Sequence, residues 1–417
     1  MFYVDDDPIA SRRSAPQHGR IHLPDSLTSQ QLSDRTWIGD EAGDERADAI
    51  WRAAEHWYSG GTQPAIQVCV RHRGRVIVDR AVGHGRTPIE NVTSATPFCL
   101  FSASKAIAAV AVWRLIDQGV VDLGTRVADL VPGYSANGKG STTIDHVLTH
   151  RAGIPFALAG SADQTRADDR AFVRAALCRM VPLHRPGLLH FYHALTWGPL
   201  VREIVETATG RPMREYIADE ITGPLGLRWT NIGVDRSDVI EVARSHVTGS
   251  RTSFAVDTAF RLATGRTLDG IISSSNAPEV LTSTIPSSTG VSNAVELSRF
   301  AEMLLRGGAL DGVRILSADA IVAARRERRA LRPDVATAGV PLRWGTGFML
   351  GSHYFGPFGR RAPEAFGHTG LTQIAMWADP QRDLATAVVS SGKPLGDVDG
   401  GRYRGLLDTI AAAFPRS

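Results

Sequence analysis

The sequence predicts a mixed α/β (α+β) protein in which strands from both ends of the chain complete one sheet and a mostly helical segment interrupts it. Two β-rich runs occupy residues 65–83, and further β-type runs follow residue 343 before a final helix. Between them, helical patterns punctuated by glycine and proline dominate. We therefore expect a discontinuous sheet domain (45–135 and 286–417) and a mainly helical domain (136–285).

The elements follow from local patterns. Trp51 and Trp57 share one face of a predicted helix, and the two β-rich runs flank a turn at 72–74, which predicts a hairpin. The segment 102–119 is apolar on nearly every side and ends at a glycine, so we expect a helix buried between layers. A Ser/Thr-rich stretch near 272–289 is interpreted as an irregular return linker.

Composition limits the location and the partners. The chain has 417 residues, 43% of them hydrophobic and 21% charged, a balance typical of globular proteins. Its longest apolar run, 106–113, is far shorter than the roughly 18 residues of a membrane span, so no membrane span is expected.

Residues 1–44 are polar and predicted to be an N-terminal extension. Because acids occupy 5–7, where a secretory signal needs a basic start, we expect a cytoplasmic location.

Lysine is rare in this chain. Lys105, Lys139 and Lys393 are the only lysines among 46 basic residues, so the other 43 are arginines. An arginine stays protonated, whereas a buried lysine can lose its proton and act as a base. Lys105 lies in the apolar segment, and its presence there therefore calls for a chemical explanation.

Ser102 and Lys105 are three residues apart at the start of the predicted helix, so their side chains can meet. A buried amine can activate a serine hydroxyl as a nucleophile. The alternative is an N-cap serine with a lysine that extends to the surface. A second pair with this spacing, Ser390 and Lys393, follows a β-type run and no helix would hold it, so we do not expect a site there.

Two further segments are candidates. Tyr192, on a loop before an apolar helix, is either a core residue or a phenol that shuttles a proton beside an amine. His368-Thr369-Gly370 lies on a predicted edge strand, where glycine permits close approach by a substrate and an N–H group could face an oxyanion. A loop with a satisfied histidine is the alternative for the second segment.

Other chemistries lack support. His146 and His150 have helical spacing but no glutamate between them of the kind zinc proteases need, and no metal is expected. Three distant cysteines are interpreted as reduced thiols. The arginines of 325–329 are attributed to a solvated helix end, and we expect no nucleic-acid partner.

Taken in order, these motifs resemble the serine β-lactamase and penicillin-binding-protein superfamily, on the branch of class C β-lactamases and family VIII carboxylesterases. Ser102 and Lys105 match its SxxK motif, Tyr192 its tyrosine motif, and His368-Thr369-Gly370 its KTG motif. The resemblance implies an antiparallel sheet flanked by helices, a helical domain, and an active site between them. It also implies an oxyanion hole formed by the backbone N–H groups of Ser102 and Leu371.

Two departures from the family pattern favour an esterase. Ala194 stands where the lactamases have asparagine, and His368 where they have lysine. Both changes weaken the recognition of anionic β-lactams and leave the acylation residues intact. We therefore expect a serine carboxylesterase that acts on a small-molecule ester without a cofactor, with Ala194, His368, Thr369 and Gly370 contacting substrate. A β-lactamase, D-Ala-D-Ala peptidase or acyltransferase with the same residues, or an inactive scaffold, remains the alternative.

Overall fold

A long antiparallel sheet organises the molecule. The computed structural model describes residues 44–156, 166, 168–250, 254, 257–258, 261, 264–332, 341–354, 356–394 and 400–416. Within this part of the chain, eight strands form one sheet in the order β2-β1-β14-β13-β12-β11-β10-β9, antiparallel throughout. The predicted extension lies outside it, apart from Asp44, which caps the first helix.

The strands of the described chain are β1 (Ala65–His72), β2 (Arg75–Gly83), β3 (Phe98–Cys99), β4 (Asn231–Ile232), β5 (His246–Thr248), β6 (Gly290–Ser292), β7 (Ala309–Leu310), β8 (Val313–Arg314), β9 (Arg329–Arg332), β10 (Leu342–Trp344), β11 (Met349–Leu350), β12 (Phe366–Gly370), β13 (Ile374–Asp379), β14 (Leu384–Ser390) and β15 (Gly392–Pro394). The α-helices are α1 (Glu45–Tyr58), α2 (Ser104–Asp117), α3 (Val127–Leu130), α4 (Ile144–Leu148), α5 (Arg170–Arg179), α6 (Trp197–Thr209), α7 (Met213–Ile217), α8 (Leu268–Ser274), α9 (Pro278–Leu281), α10 (Ala294–Leu305), α11 (Ala318–Arg325) and α12 (Gly400–Ala413).

Both faces of the sheet are covered by helices. Ile66, Val68 and Val70 of β1 point to the side where α1 and α12 pack, and Cys69 points to the side of α2 and α10. This alternation is the two-residue period of a strand. The hairpin of β1 and β2 confirms the predicted turn, with Arg73 and Gly74 at positive φ.

The predicted buried helix is confirmed as α2. All its residues from Ser104 to Trp113 are buried, because the sheet lies on one side and α6 on another. Such a helix has no face for an unpaired charge, so the buried lysine within it must find its partners inside the protein.

Two expectations about local structure were wrong. The stretch near 272–289 is not an irregular linker, because it contains the end of α8 and all of α9, which starts with proline at its first position. β12 is not an edge strand, because it lies between β13 and β11. β11 pairs only with Phe366 and Gly367, however, so among the described residues 368–370 pair with β13 alone.

The arginine-rich stretch also differs from a helix end. α11 ends at Arg325, and β9 begins at Arg329. Between them, Arg328 forms an ion pair with Asp145, 2.6 Å between Nη2 and Oδ1, so this cation is partly neutralised within the protein.

The predicted division into two domains stays a prediction. The strands of the large sheet come from 65–83 and 329–390, while most of 136–285 is helix and loop. Two small sheets connect these regions, since β4 pairs with β6 and β5 pairs with β15. No helix of the described chain has the length and apolar character to cross a bilayer. The cytoplasmic location also stays a prediction.

A close contact between β6 and α2 leads to a stability test. In Gly290→Ala the new Cβ would lie 2.5 Å from Ser104 Oγ and 3.1 Å from Ser104 Cα, so α2 must shift. We expect a loss of about 1–3 kcal/mol in the free energy of unfolding. The control is Gly405→Ala in α12, where nothing lies within 4 Å and alanine should stabilise the helix by about 0.5–1 kcal/mol. The midpoint of urea unfolding, compared with that of wild type, measures the effect of each substitution. A Gly290→Ala midpoint equal to that of wild type would contradict the close packing.

Candidate active site

A short turn carries Ser102. β3 leads through Leu100 into a 3₁₀ turn over Phe101–Ala103, and α2 follows. Phe101 has φ +49, which is uncommon for a residue with a side chain, and its carbonyl accepts a hydrogen bond from Ser104 Oγ. The N-cap residue of α2 is Ala103, so the alternative of an N-cap serine at position 102 is wrong. Ser102 lies in this turn and Lys105 in the first turn of α2, and the three-residue spacing places their side chains on the same side.

Lys105 is buried and contacts three oxygen atoms. Its Nζ lies 3.2 Å from Ser102 Oγ, and it donates to the carbonyl oxygens of Ala194 at 3.0 Å and Ser287 at 3.1 Å. The side chain is 0% exposed, so the alternative of a lysine extending to the surface is wrong. Burial lowers the pKa of the Lys105 amine well below its ordinary value.

These contacts can be satisfied by a neutral amine, the form that burial favours. An uncharged amine has two N–H donors and one lone pair, and the carbonyls of Ala194 and Ser287 take both donors. The lone pair then faces Ser102 Oγ, whose hydroxyl can donate to it. The arrangement can therefore remove a proton from Ser102 while that oxygen attacks an electrophile.

Tyr192 lies next to this pair within a cluster of rings. Its ring stacks on Trp344 with centroids 5.4 Å apart, and lies 4.7 Å from the ring of His150. Lys105 Nζ lies 5.0 Å from the centroid of the tyrosine ring. Tyr192 lines the same cavity as Ser102, so its ring lies close to both residues of the Ser102–Lys105 pair.

The end of β12 packs against the turn that carries Ser102. A Cβ added to Gly370 would lie 2.2 Å from the carbonyl oxygen of Leu100, so only glycine allows this approach. Thr369, Gly370 and Leu371 all line the cavity, and Thr369 Oγ1 donates to Met349 Sδ at 3.3 Å. Leu371 thus lies in the wall of the cavity that Ser102 also lines. Its part in an oxyanion hole stays a prediction.

His368 differs from expectation. Its ring is 1% exposed, lies 6.4 Å from the ring of Tyr192, and is outside the cavity wall, so it does not contact the space for substrate. Period-two alternation turns it behind Tyr192 while Thr369 faces the cavity. Burial is the main cause that lowers the pKa of His368 to about 3, so the imidazole is neutral near pH 7.

The cavity has a volume of about 470 Å³, which suits a small organic substrate. Its wall is mainly apolar. The lining residues are Phe101, Ser102, Tyr192, Ala194, Leu195, Thr264, Ile271, Ser287, Ser288, Leu342, Met349, Gly356, Pro357, Thr369, Gly370, Leu371, Gln373, Ile374, Tyr403, Arg404 and Leu407.

Sequence reasoning missed residues that support the site. Ser287 lies in the stretch interpreted as a linker, yet its carbonyl holds Lys105 and its hydroxyl donates to Leu195 O at 3.1 Å. His150 was considered only as a metal ligand, but its Nδ1 accepts the backbone N–H of His193 at 3.2 Å and its ring supports Tyr192. A backbone carbonyl leaves no signal in the residue type, and so Ser287 could not be found from sequence.

Lys393, the cysteines and the potential metal ligands are the other groups that the sequence singled out. Lys393 donates to the backbone carbonyl of Ser390 at 2.5 Å, and no helix holds the pair. All three cysteines are free thiols. No group of three or more potential metal ligands was found among the described residues.

Comparisons with known proteins agree with this geometry. A family model described as Beta-lactamase matches residues 52–409. The chain is 32% identical over 330 residues to esterase/beta-lactamase LipL of Mycobacterium tuberculosis, covering 75% of this chain and 74% of that protein.

Solved structures are also similar. A penicillin-binding protein homologue from Caulobacter crescentus superposes with a TM-score of 0.79 at 28% identity, covering 92% of this chain and 100% of that one. A family VIII carboxylesterase superposes with a TM-score of 0.75 at 26% identity, covering 89% of this chain and 98% of that one.

The neutral amine predicts how Ser102 reacts with a fluorophosphonate. Because burial lowers the pKa of Lys105, the labelling rate should rise with pH and reach its plateau well below pH 10. Lys105→Arg, which keeps a charge it cannot lose, should lower the rate about 10²- to 10⁴-fold. The matched control is Lys139→Arg, a second buried lysine, which should be labelled like wild type once thermal unfolding shows it folded. Labelling that continues to rise up to pH 10 would contradict a neutral base.

Proposed function

This chain belongs to the beta-lactamase family, and we propose that within the family it is a carboxylesterase acting on small to medium acyl esters. The observation that carries the proposal is that two positions near Ser102, 194 and 368, offer neither a cation nor a side-chain amide. His368 is buried and neutral, and Ala194 presents a methyl group to the cavity, so neither supplies a cation or a side-chain amide to an anionic lactam. A mainly apolar wall favours the acyl chain of an uncharged ester.

The mechanism is acyl transfer through Ser102. Its Oγ attacks the ester carbonyl while the hydroxyl proton passes to the coupled base formed by Lys105 and Tyr192. The backbone N–H groups of Ser102 and Leu371 bind the tetrahedral oxyanion, and each such donor typically contributes about 10²- to 10³-fold in rate. The C–O bond to the alcohol then breaks, and Tyr192 returns the proton to the departing alkoxide.

Water completes the cycle. Tyr192 and Lys105 take a proton from a water molecule as its oxygen attacks the acyl-serine carbonyl, and the proton returns to Ser102 Oγ when the acid leaves. Thr369, Gly370 and Ala194 line the space around the acyl group. His368 does not contact the substrate, and its ring packs against the rings of Tyr192 and Trp344 on the side away from the cavity. The mechanism requires no cofactor.

One observation favours the alternative within the family. Arg404 of α12 also lines the cavity, and a guanidinium there suits a substrate that carries a carboxylate. A β-lactamase or D-Ala-D-Ala peptidase would use such a group with the same nucleophile and base. An acyltransferase would differ only in that an alcohol replaces water in the second step.

Parallel assays separate these activities. We expect wild type to hydrolyse p-nitrophenyl esters with higher kcat/KM than nitrocefin, with an optimum at short to medium acyl chains set by the cavity volume. Ser102→Ala should abolish turnover of both substrates. Ser391→Ala, a buried serine outside the cavity wall, is the control and should keep wild-type rates.

Three outcomes of these assays would contradict the esterase proposal. Nitrocefin turnover above ester turnover would replace the esterase proposal with a β-lactamase. Ester turnover that survives in Ser102→Ala would remove the proposed mechanism. If neither substrate is turned over and a fluorophosphonate fails to label Ser102, an inactive scaffold is the better description.

A further inference from the structure

We infer that Gln373 is a specificity-determining residue whose side-chain amide donates a hydrogen bond to a second, uncharged carbonyl on the substrate. The inference rests on the proposed function, because it refines the class of ester: one that carries a keto or amide carbonyl apart from the scissile bond. Gln373 lines the same cavity as Ser102 and follows Leu371 by two residues.

A backbone donor fixes the orientation of this amide. The N–H of Gly392 can only donate, and it points to the side-chain oxygen of Gln63 at 3.1 Å. The Gln63 side chain, 0% exposed, must then direct its nitrogen the other way, where it meets the side chain of Gln373 at 2.6 Å. The Gln373 atom at that contact is therefore the oxygen, which leaves its NH₂ group for another partner.

The backbone of Gln373 is also held in place. Gly370 pairs with Ile374, so residues 371–373 form the three-residue turn between β12 and β13. The last position of such a turn requires the left-handed conformation, and Gln373 has φ +58 there, a position that favours glycine. Ser390 Oγ donates to the Gln373 carbonyl at 3.1 Å. The turn therefore fixes the direction in which the Gln373 side chain leaves the backbone.

The NH₂ group has no acceptor within the described chain, whereas two other polar side chains of the wall do have partners. Thr369 Oγ1 donates to Met349, and Ser287 Oγ donates to Leu195. An amide N–H donates well to a keto or amide carbonyl oxygen, whereas a substrate carboxylate would pair more strongly with the guanidinium of Arg404, which lines the same cavity. Gln373 therefore offers an oriented donor to a ligand in the cavity.

Matched ligands test the inference. We expect wild type to hydrolyse p-nitrophenyl 4-oxopentanoate about three- to tenfold better than p-nitrophenyl pentanoate in kcat/KM, the effect of one neutral hydrogen bond. Gln373→Gly removes the side chain at a position where glycine is unstrained, and Gln373→Glu replaces the NH₂ with an oxygen atom. The ratio should fall to about one in the first variant and below one in the second. Gln118→Glu, at an exposed glutamine, should keep the wild-type ratio.

A second readout does not depend on ester turnover. Boronic acids bind an active serine covalently, so we would measure dissociation constants for acetamidomethylboronic acid and its carbon analogue butylboronic acid. The acetamido compound should bind wild type about three- to tenfold more tightly, and both Gln373 variants should lose the difference. If ester turnover is absent, the proposed function fails and the boronic acids still decide the role of Gln373. A ratio of one in wild type, or an unchanged ratio in folded Gln373 variants, would overturn the inference.

Discussion

The contact between Lys105 and Ser102 is the constraint on which the rest of the site depends. A lysine without exposed surface needs polar partners inside the protein, and here these are carbonyls from two distant parts of the chain, Ala194 and Ser287. Gly198 permits this meeting, since a Cβ there would lie 2.5 Å from the backbone nitrogen of Ser287. Three segments must therefore come together before the amine is held. They are the turn that carries Ser102, the loop before α6 and the segment before β6.

The buried state of all three lysines explains their rarity. Lys105, Lys139 and Lys393 are each 0% exposed, whereas arginines form the ion pairs of the described surface. Lys139 donates to three carbonyls, those of Ala136, Cys178 and Met180, which matches the three donors of an ammonium group. Lys105 donates to two carbonyls, and its third contact is with the hydroxyl of Ser102. Lys139 thus has the contacts of a structural ammonium group, whereas Lys105 keeps one of its three contacts for the Ser102 hydroxyl.

Sequence patterns predicted what depends on local order. The hairpin, the buried helix α2 and the pairing of Ser102 with Lys105 follow from spacing and apolar context, and each agrees with the structure. The stretch near 272–289 and the position of His368 were misjudged because both depend on contacts across the chain. Composition alone made 272–289 resemble a linker, although its last residues supply the carbonyl that holds Lys105. The side of the strand that His368 faces depends on the register of β12 and β13, which the motif does not specify.

The chemistry on the β12 side of the cavity follows from the absence of a charge at His368. A cation beside Thr369 would attract an anionic substrate and, by repulsion, favour the neutral form of Lys105 still further. In this chain His368 has lost that charge through burial, so desolvation by itself lowers the pKa of Lys105. Selection among uncharged substrates must then come from shape and from neutral donors that are held in a fixed direction. A strained turn between β12 and β13 provides such a donor without adding a charge that would disturb the nucleophile and its base.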